Sequence, residues 1–127
     1  MIVSTGIDIV EVYRIAETMT RTPRFAMRVF TAAERDYCDA KGAAAAQSYA
    51  GRFAAKEAFL KAIQTGWRGK ITWQDIEVVN DSDGVPTLIV TGEALKVLSD
   101  RGADHVHLSI SHTAEHAVAQ VILERGL

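Results

Sequence analysis

The sequence predicts an α+β fold, in which one domain combines an antiparallel sheet with a long central helix. The chain has 127 residues, the size of one domain, and no repeat, linker or low-complexity segment divides it, so residues 1–127 are expected to form a single domain. Helical and strand patterns are interspersed rather than arranged as regular βαβ units. Asp83-Gly84 lies between two apolar runs and is a strong hairpin signal, which favours antiparallel pairing.

The amino-terminal segment is predicted to form a strand followed by a helix. Ile2–Ile9 has a strand pattern in which Asp8 points to the face opposite its two isoleucine neighbours. Apolar residues at helical spacing across Val12–Met19 predict an amphipathic helix that stops near Pro23.

The middle of the chain is predicted to be helical. Thr31 and Glu34 have the spacing of a capping box, which predicts the start of a short helix. The alanine-rich segment Gly42–Ile63 predicts the long helix, ending near Gly66. The two glycines around Arg68 predict a loop.

The remaining segments predict four strands and one helix. Pro86 suits the beginning or edge of a strand, and Gly102 suits the residue that follows a helix. These predicted elements are, in order, the strands Ile71–Asn80 and Val85–Thr91, the helix Glu93–Arg101, and the strands His105–Ser111 and Ala117–Leu123.

Composition and charge indicate an ordinary soluble domain. The chain is 48% hydrophobic and 24% charged, and its formal net charge of −2 argues against a general nucleic-acid binder. No window approaches the length of an apolar membrane span, and the first residues lack the pattern of a secretory signal. Cys38 is the only cysteine, which fits a reducing compartment, and its two aspartate neighbours disfavour a nucleophilic thiolate. A cytoplasmic location is therefore expected.

The charges on the long helix admit two interpretations. Glu57 and Lys61 are spaced to face each other across one turn, whereas Arg52 and Lys56 form a like-charged pair that a purely structural helix tends to avoid. One interpretation is a solvated surface helix. The other is a site at which a carboxylate holds a metal ion and the lysines meet phosphates. Asp8 would supply the second carboxylate, because Mg²⁺ is commonly held by one or two carboxylates together with substrate phosphates.

Three other patterns compete for a functional role. Asp81–Gly84 resembles the start of a calcium loop, but its predicted flanks are strands, so it is interpreted as a turn. His112–His116 fits the H-x-x-E-H zinc pattern, which requires a helix, whereas here it lies between predicted strands. Between Val12 and Phe30 the chain has four arginines and only one acidic residue, Glu17. This basic segment is either a solvated face or a docking patch for an acidic partner. We name its members the docking arginines: Arg14, Arg21, Arg24 and Arg28.

Three separated motifs resemble one family. GIDIVEVYR (Gly6–Arg14), GRFAAKEAFLKA (Gly51–Ala62) and LSISHT (Leu108–Thr113) are similar, in order and spacing, to the motifs of holo-acyl-carrier-protein synthases, the short-chain 4′-phosphopantetheinyl transferases. The stretches WQDIEV and GVPTLIV between them are also similar, so that the resemblance spans nearly the whole chain.

The resemblance implies a fold, a reaction and partners. The fold is the α+β fold of 4′-phosphopantetheinyl transferases. The reaction is transfer of 4′-phosphopantetheine from coenzyme A to a serine of apo acyl carrier protein, with release of adenosine 3′,5′-bisphosphate, as in fatty acid biosynthesis and lipid metabolism. Mg²⁺, which Mn²⁺ can replace, would bridge the coenzyme A pyrophosphate. The family forms homotrimers with the sites at subunit interfaces.

The resemblance also assigns residues to roles. Asp8 and Glu57 match the metal carboxylates, and Lys61 matches the lysine at the pyrophosphate; these three are the expected catalytic residues. The docking arginines lie where the family binds its carrier protein. The proton acceptor stays open between a metal-activated water and Glu57. The residues expected to contact or line the coenzyme A site are Arg52, Phe53, Lys56, Lys61, Pro86 and His112.

Two other classes of function remain as alternatives. One is a non-catalytic module that binds coenzyme A or docks on a carrier protein, although a module would have no need of Asp8, Glu57 and Lys61 together. The other is a metal-dependent phosphodiesterase, which fits the carboxylates but not the resemblance along the whole chain.

Overall fold

A computed structural model gives the structure of residues 1–64 and 70–126. The predicted glycine loop around Arg68 lies outside the described residues. The elements are strand β1 (Ile2–Glu11), helices α1 (Val12–Arg21), α2 (Arg24–Val29), α3 (Ala32–Asp39) and α4 (Ala45–Ile63), strands β2 (Ile76–Asn80) and β3 (Pro86–Val90), helix α5 (Gly92–Asp100), and strands β4 (His105–His112) and β5 (His116–Glu124).

The strands form two antiparallel sheets, so the predicted α+β class with antiparallel pairing is confirmed. The larger sheet has the order β1-β5-β4, and the smaller one is the β2-β3 hairpin. In the larger sheet Ala119 of β5 lies between Asp8 of β1 and Ile110 of β4. The carboxyl end of the chain therefore returns to the centre of the sheet, beside its first strand.

Helix α4 packs along the inner face of the larger sheet. The helix alanines from Ala50 onward are fully or almost fully buried, and the inward residues of β5 are equally buried. Gly6 allows β1 to approach the helix closely, because a Cβ there would overlap the carbonyl oxygen of Ala58 and lie 2.7 Å from the amide nitrogen of Ala62. Asp8 is two residues further along β1 and so projects from the same face of the strand as Gly6.

The structure differs from the sequence prediction in two segments. The strand predicted to begin at Ile71 begins at Ile76, because the Asp75 carboxylate accepts from the Thr72 amide and closes a 3₁₀ turn over Trp73–Asp75. Helix α2 was not predicted; its six residues are too few for a clear helical period. The capping box of Thr31 and Glu34 at the start of α3 is confirmed.

The outer face of the larger sheet carries exposed apolar side chains. Ile7 and Ile9 are 60% and 67% exposed, and Val118 of β5 is paired with Ile9. Among residues 1–64 and 70–126, no helix is both long and apolar enough to cross a bilayer.

Candidate active site

Asp8 and Lys61 form an ion pair between β1 and α4. Lys61 Nζ lies 2.8 Å from Asp8 Oδ1. The Asp8 side chain is 15% exposed and that of Lys61 is 55% exposed. The carboxylate is therefore mostly buried, whereas the lysine lies on the solvent side of the pair. The spacing along the helix had suggested that Lys61 would face Glu57. The structure instead shows the lysine bonded to Asp8, because β1 passes close to α4 at this point.

Glu57 completes a group of three charges. Burial raises the pKa of the Glu57 carboxyl, the negative charge of Asp8 raises this pKa further, and Lys61 opposes both effects. Burial and a neighbouring carboxylate both destabilise the ionised form of such an acid, and a nearby positive charge would stabilise it. The site therefore favours binding of a further cation.

The donor set fits a divalent cation that keeps part of its shell for other ligands. Among the described residues, no cluster contains three or more His, Cys, Asp or Glu side chains placed to hold a metal. Two carboxylates are typical of Mg²⁺ sites in which water and substrate phosphates supply the other ligands. Asp8 and Glu57 thus suit Mg²⁺ or Mn²⁺ in the presence of a phosphate-bearing substrate.

These carboxylates line a cavity of about 590 Å³ beside α1. Arg14 lies on its α1 side, and Phe53 lines it one turn before Glu57 on α4. A second cavity, of about 580 Å³, shares Phe25 and Phe53 with the first and has Arg28 in its lining. The two cavities are therefore neighbours that share two phenylalanines, and each has a docking arginine in its lining.

Arg52, Pro86 and His112 line a different cleft, of about 290 Å³. Arg52 Nη2 donates to Asn80 Oδ1 at 2.6 Å, and its guanidinium carbon lies 4.1 Å from the centre of the Tyr37 ring. The buried Nε of Arg52 has no hydrogen-bond partner within the described part of the chain. An unpaired donor of this kind favours an anionic ligand, since a buried polar group without a partner is costly.

Four polar residues of this cleft were not predicted from the sequence, and one of them, Ser48, lies on α4. Tyr37 and Lys41 come from α3 and the turn after it, and Asn80 comes from the end of β2. Lys41 Nζ lies 4.6 Å from the Tyr37 ring centre, so two cations flank one aromatic ring. No sequence spacing could have joined these residues, because the cleft forms where separate elements meet.

Lys56 is not in the lining of any of these three cavities. Its side chain is 0% exposed and is paired with Glu34 at 2.7 Å. The expected contact between Lys56 and coenzyme A therefore does not fit the placement of this side chain, because its ammonium group is enclosed by protein. Its direction follows from its position on α4, where residue 56 points inward and residue 57 points to the cavity.

The histidines of the H-x-x-E-H pattern lie on two strands. His112 ends β4, where its Nδ1 lies 3.0 Å from Gln47 Oε1, and His116 begins β5. They do not share a helix face, so the zinc peptidase interpretation does not fit. His116 lines the Asp8–Glu57 cavity, a placement that the sequence analysis missed.

The docking arginines are exposed on α1 and α2. Arg14 Nε lies 3.0 Å from Glu11 Oε1, and Arg21 is paired with Glu17. Arg24 and Arg28 are also exposed. Glu11 of β1 and Glu17 of α1 each pair with one arginine, so this exposed surface carries less net positive charge than its four arginines alone would give.

Comparisons with known proteins identify one family. The family model of the 4′-phosphopantetheinyl transferase superfamily matches residues 4–121. The chain is 52% identical to a holo-acyl-carrier-protein synthase of Koribacter versatilis over 125 residues, covering 98% of this chain and 99% of the relative. A protein of the same name from Geobacter metallireducens is 48% identical over 126 residues, covering 98% and 99% of the two chains.

Solved structures give the same result. The structure of a holo-acyl-carrier-protein synthase from Bacillus anthracis in complex with CoA (3′,5′-ADP) aligns with a TM-score of 0.81 at 43% identity, covering 99% of both chains. The synthase from Neisseria meningitidis aligns with a TM-score of 0.86 at 36% identity, covering 98% of this chain and 100% of the other. The chain therefore belongs to the 4′-phosphopantetheinyl transferase superfamily.

Proposed function

We propose that this enzyme transfers 4′-phosphopantetheine from coenzyme A to a serine of apo acyl carrier protein and releases adenosine 3′,5′-bisphosphate. The observation that carries the proposal is that Asp8 and Glu57 line one cavity while Lys61 Nζ lies 2.8 Å from Asp8 Oδ1. Two carboxylates and a mobile cation are the groups that a magnesium-bound pyrophosphate needs.

Asp8 and Glu57 would hold the Mg²⁺ ion. When bound, the ion would neutralise pyrophosphate oxygens and increase the electrophilicity of the β-phosphorus. The raised pKa of Glu57 supports this assignment, since a carboxylate pair that lacks positive charge gains most from a cation.

Lys61 would move from Asp8 to the pyrophosphate when the donor binds. Its side chain is 55% exposed and so can change rotamer without disturbing the core. At the phosphate it would offset the negative charge that develops on the leaving group. Glu57 lies at the same cavity as Asp8 and is a candidate to accept the proton of the carrier serine.

The Arg52 cleft would hold the nucleotide end of coenzyme A. Arg52 and Lys41 supply cations for phosphate oxygens, and Asn80 and Ser48 supply polar groups around them. His112 lies at the same cleft. The solved synthase from Bacillus anthracis contains CoA (3′,5′-ADP), which is consistent with a nucleotide site in this fold.

The active enzyme would be a homotrimer with its sites between subunits. Arg52 and Glu57 are five residues apart on α4, so their side chains point about 140° apart around the helix. Their cavities share no lining residue. A donor that contacts both kinds of residue would then use the carboxylates of one subunit and the nucleotide cleft of a neighbour. The exposed Ile7 and Ile9 on the outer sheet face give a surface for such association.

The docking arginines would bind the acidic carrier protein. Arg14 and Arg28 lie in the linings of the two adjoining cavities. An acidic partner that meets both would be placed over the entrance that leads to Asp8 and Glu57. Opposite charges on the two surfaces would also increase the rate of encounter.

Mass spectrometry of the carrier protein tests this function. The enzyme is incubated with coenzyme A, Mg²⁺ and apo carrier protein, and the carrier is expected to gain the mass of one phosphopantetheine group. A matched reaction uses a carrier whose acceptor serine is replaced by alanine, and it should show no adduct. Tight binding without an adduct would indicate a non-catalytic module, and cleavage of coenzyme A without a carrier would indicate a phosphodiesterase.

A further inference from the structure

A buried ion pair joins Glu34 to Lys56, the residue directly before Glu57 on α4. The side chains of Lys56 and Glu34 are both 0% exposed, and their charged atoms are 2.7 Å apart. Lys56 Nζ also donates to the carbonyl oxygens of Trp73 at 3.1 Å and Ile76 at 2.5 Å. Since a lysine ammonium has three hydrogens, this group is fully used within the protein.

The glutamate of the pair connects two further segments. Glu34 Oε1 accepts from the Thr31 amide at 2.9 Å, and Oε2 accepts from the Val78 amide at 2.8 Å. The pair thus joins helix α3, helix α4, the turn at Trp73 and strand β2 at one point. A buried ion pair is weak grounds for stability alone, because apolar side chains of similar volume often stabilise a core as well or better. Its position relative to the site is therefore informative.

Three aromatic residues link the main chain that Lys56 contacts to the carboxylate cavity. We name them the aromatic wall: Phe25, Phe53 and Trp73. The ring centre of Phe53 lies 5.4 Å from that of Trp73 and 5.8 Å from that of Phe25. Phe53 lines the cavity of Asp8 and Glu57, and all three rings line the adjoining cavity. Lys56 holds the main chain of Trp73, so the pair fixes one end of the wall.

Lys56 also precedes Glu57 directly in helix α4. With its ammonium tied to α3 and β2, Lys56 fixes the rotation of α4 about its axis, and so the direction in which Glu57 projects. We propose that Lys56 and Glu34 are positioning residues for phosphopantetheine transfer, which set the aromatic wall and Glu57 in their working positions without touching coenzyme A. This inference rests on the proposed function.

Two variants test the proposal. Lys56→Met keeps the length of the side chain and removes all three hydrogen bonds. Glu34→Gln is milder, because its oxygen can still accept from Lys56 while its amide nitrogen meets the Val78 amide, donor against donor. It carries the test if Lys56→Met does not fold. The control is Leu123→Ala, a truncation in the core at the far end of β5, which destabilises the fold without altering the wall.

The kinetic result expected is a loss of turnover at preserved substrate binding. Per folded molecule, kcat of Lys56→Met should fall about tenfold or more, since small displacements of positioned groups are costly. KM for coenzyme A should change less than about threefold, because the variant removes no contact to it. Leu123→Ala should keep kcat per folded molecule. A raised KM for coenzyme A at unchanged kcat would overturn the proposal in favour of direct contact, and unchanged kcat and KM would overturn it in favour of a purely structural pair.

Tryptophan fluorescence gives a second measurement that does not depend on activity. The chain has two tryptophans, so a Trp67→Phe background leaves Trp73 as the sole emitter. In this background Lys56→Met should shift the Trp73 emission to the red and increase its quenching by acrylamide, whereas Leu123→Ala should do neither. Unchanged Trp73 emission in Lys56→Met would contradict a displaced wall. If the wild-type enzyme transferred no phosphopantetheine, the proposed function would fail, while the fluorescence would still decide whether Lys56 positions the wall.

Discussion

Lys61 Nζ donates to Asp8 Oδ1 at 2.8 Å across 53 residues of sequence, although Glu57 is one helical turn away from Lys61. The Lys61 ammonium group therefore competes with the proposed cation for the carboxylate of Asp8. In the free protein, Lys61 neutralises part of the charge of the carboxylate pair. In the proposed reaction, the negative charge of coenzyme A would give the lysine a second partner and would free Asp8 for the cation.

This competition predicts an unusual effect of Lys61→Met. Without the lysine, Asp8 is unpaired, so the free protein should bind Mn²⁺ more tightly by about two- to fivefold, the range expected for a partly exposed ion pair. Transfer activity should nevertheless fall, because the leaving group loses a cation. Titration calorimetry with Mn²⁺ alone measures the first effect. Lys96→Met, an exposed lysine on α5, is the matched control, and weaker Mn²⁺ binding by Lys61→Met would contradict the competition.

Glu57→Gln is predicted to stabilise the metal-free protein while abolishing activity. In the folded state burial and the Asp8 charge raise the pKa of Glu57 above its ordinary value of 4.5. The folded state therefore binds this proton more tightly, and the stability it contributes is present at low pH and is lost as pH rises through the raised pKa. The difference in Tm, variant minus wild type, should increase between pH 5 and pH 8, because only the wild type then carries the charge.

Added Mg²⁺ serves as the control for this experiment. It should raise the Tm of the wild type and have much less effect on Glu57→Gln, and kcat of the variant should fall by about 100-fold or more. A difference in Tm that shrinks from pH 5 to pH 8 would show that the carboxylate is not destabilised by its surroundings.

Gly6→Ala is predicted to impair both the fold and the site. A Cβ at this position would overlap the main chain of Ala58, and main chain in a packed helix cannot move aside cheaply. We expect a loss of about 1–3 kcal/mol in the free energy of unfolding, measured by urea denaturation. In Gly51→Ala the new Cβ would meet only the side-chain Cγ2 of Ile110 at 3.0 Å, so a smaller loss is expected. Equal losses in the two variants would contradict the close approach of β1 to α4.

The docking arginines predict a selective effect on the carrier protein. Reversing Arg14 and Arg21 to Glu should raise KM for the carrier protein and leave KM for coenzyme A little changed. The wild-type KM for the carrier should also rise with salt, since exposed charges are screened. Arg101→Glu, at the end of α5, is the matched control. A carrier KM independent of salt would show that these arginines form only a solvated face.

Short motifs in the sequence were enough to select the two carboxylates of the candidate site. Asp8 and Glu57 were selected because carboxylates in that family pattern suit a metal, and the structure places both at one cavity. The pairing of Lys61 was not predicted, because helical spacing describes neighbours on one element and cannot show that β1 crosses at that point. Lys56 belongs to the same motif as Glu57, yet one residue of rotation turns it into the core.

The fold was predictable where local signals agree with tertiary structure. The structure confirms the helix predicted from the Thr31–Glu34 capping box and the hairpin predicted from Asp83-Gly84. Residues 71–75 have an apolar pattern suited to a strand, but the Asp75 side chain closes a turn there. The Tyr37–Lys41 side of the Arg52 cleft could not be predicted, because it depends on how α3 packs beside α4.

The central claim is that Asp8 and Glu57 together hold one divalent cation on the pyrophosphate of coenzyme A. A crystal grown with coenzyme A and Mn²⁺ tests this claim directly, because the anomalous signal of manganese locates the ion independently of its ligands. The account predicts one peak at about 2.1 Å from an oxygen of each carboxylate and from pyrophosphate oxygens. A pyrophosphate bound in the crystal with the manganese peak away from either carboxylate would contradict it.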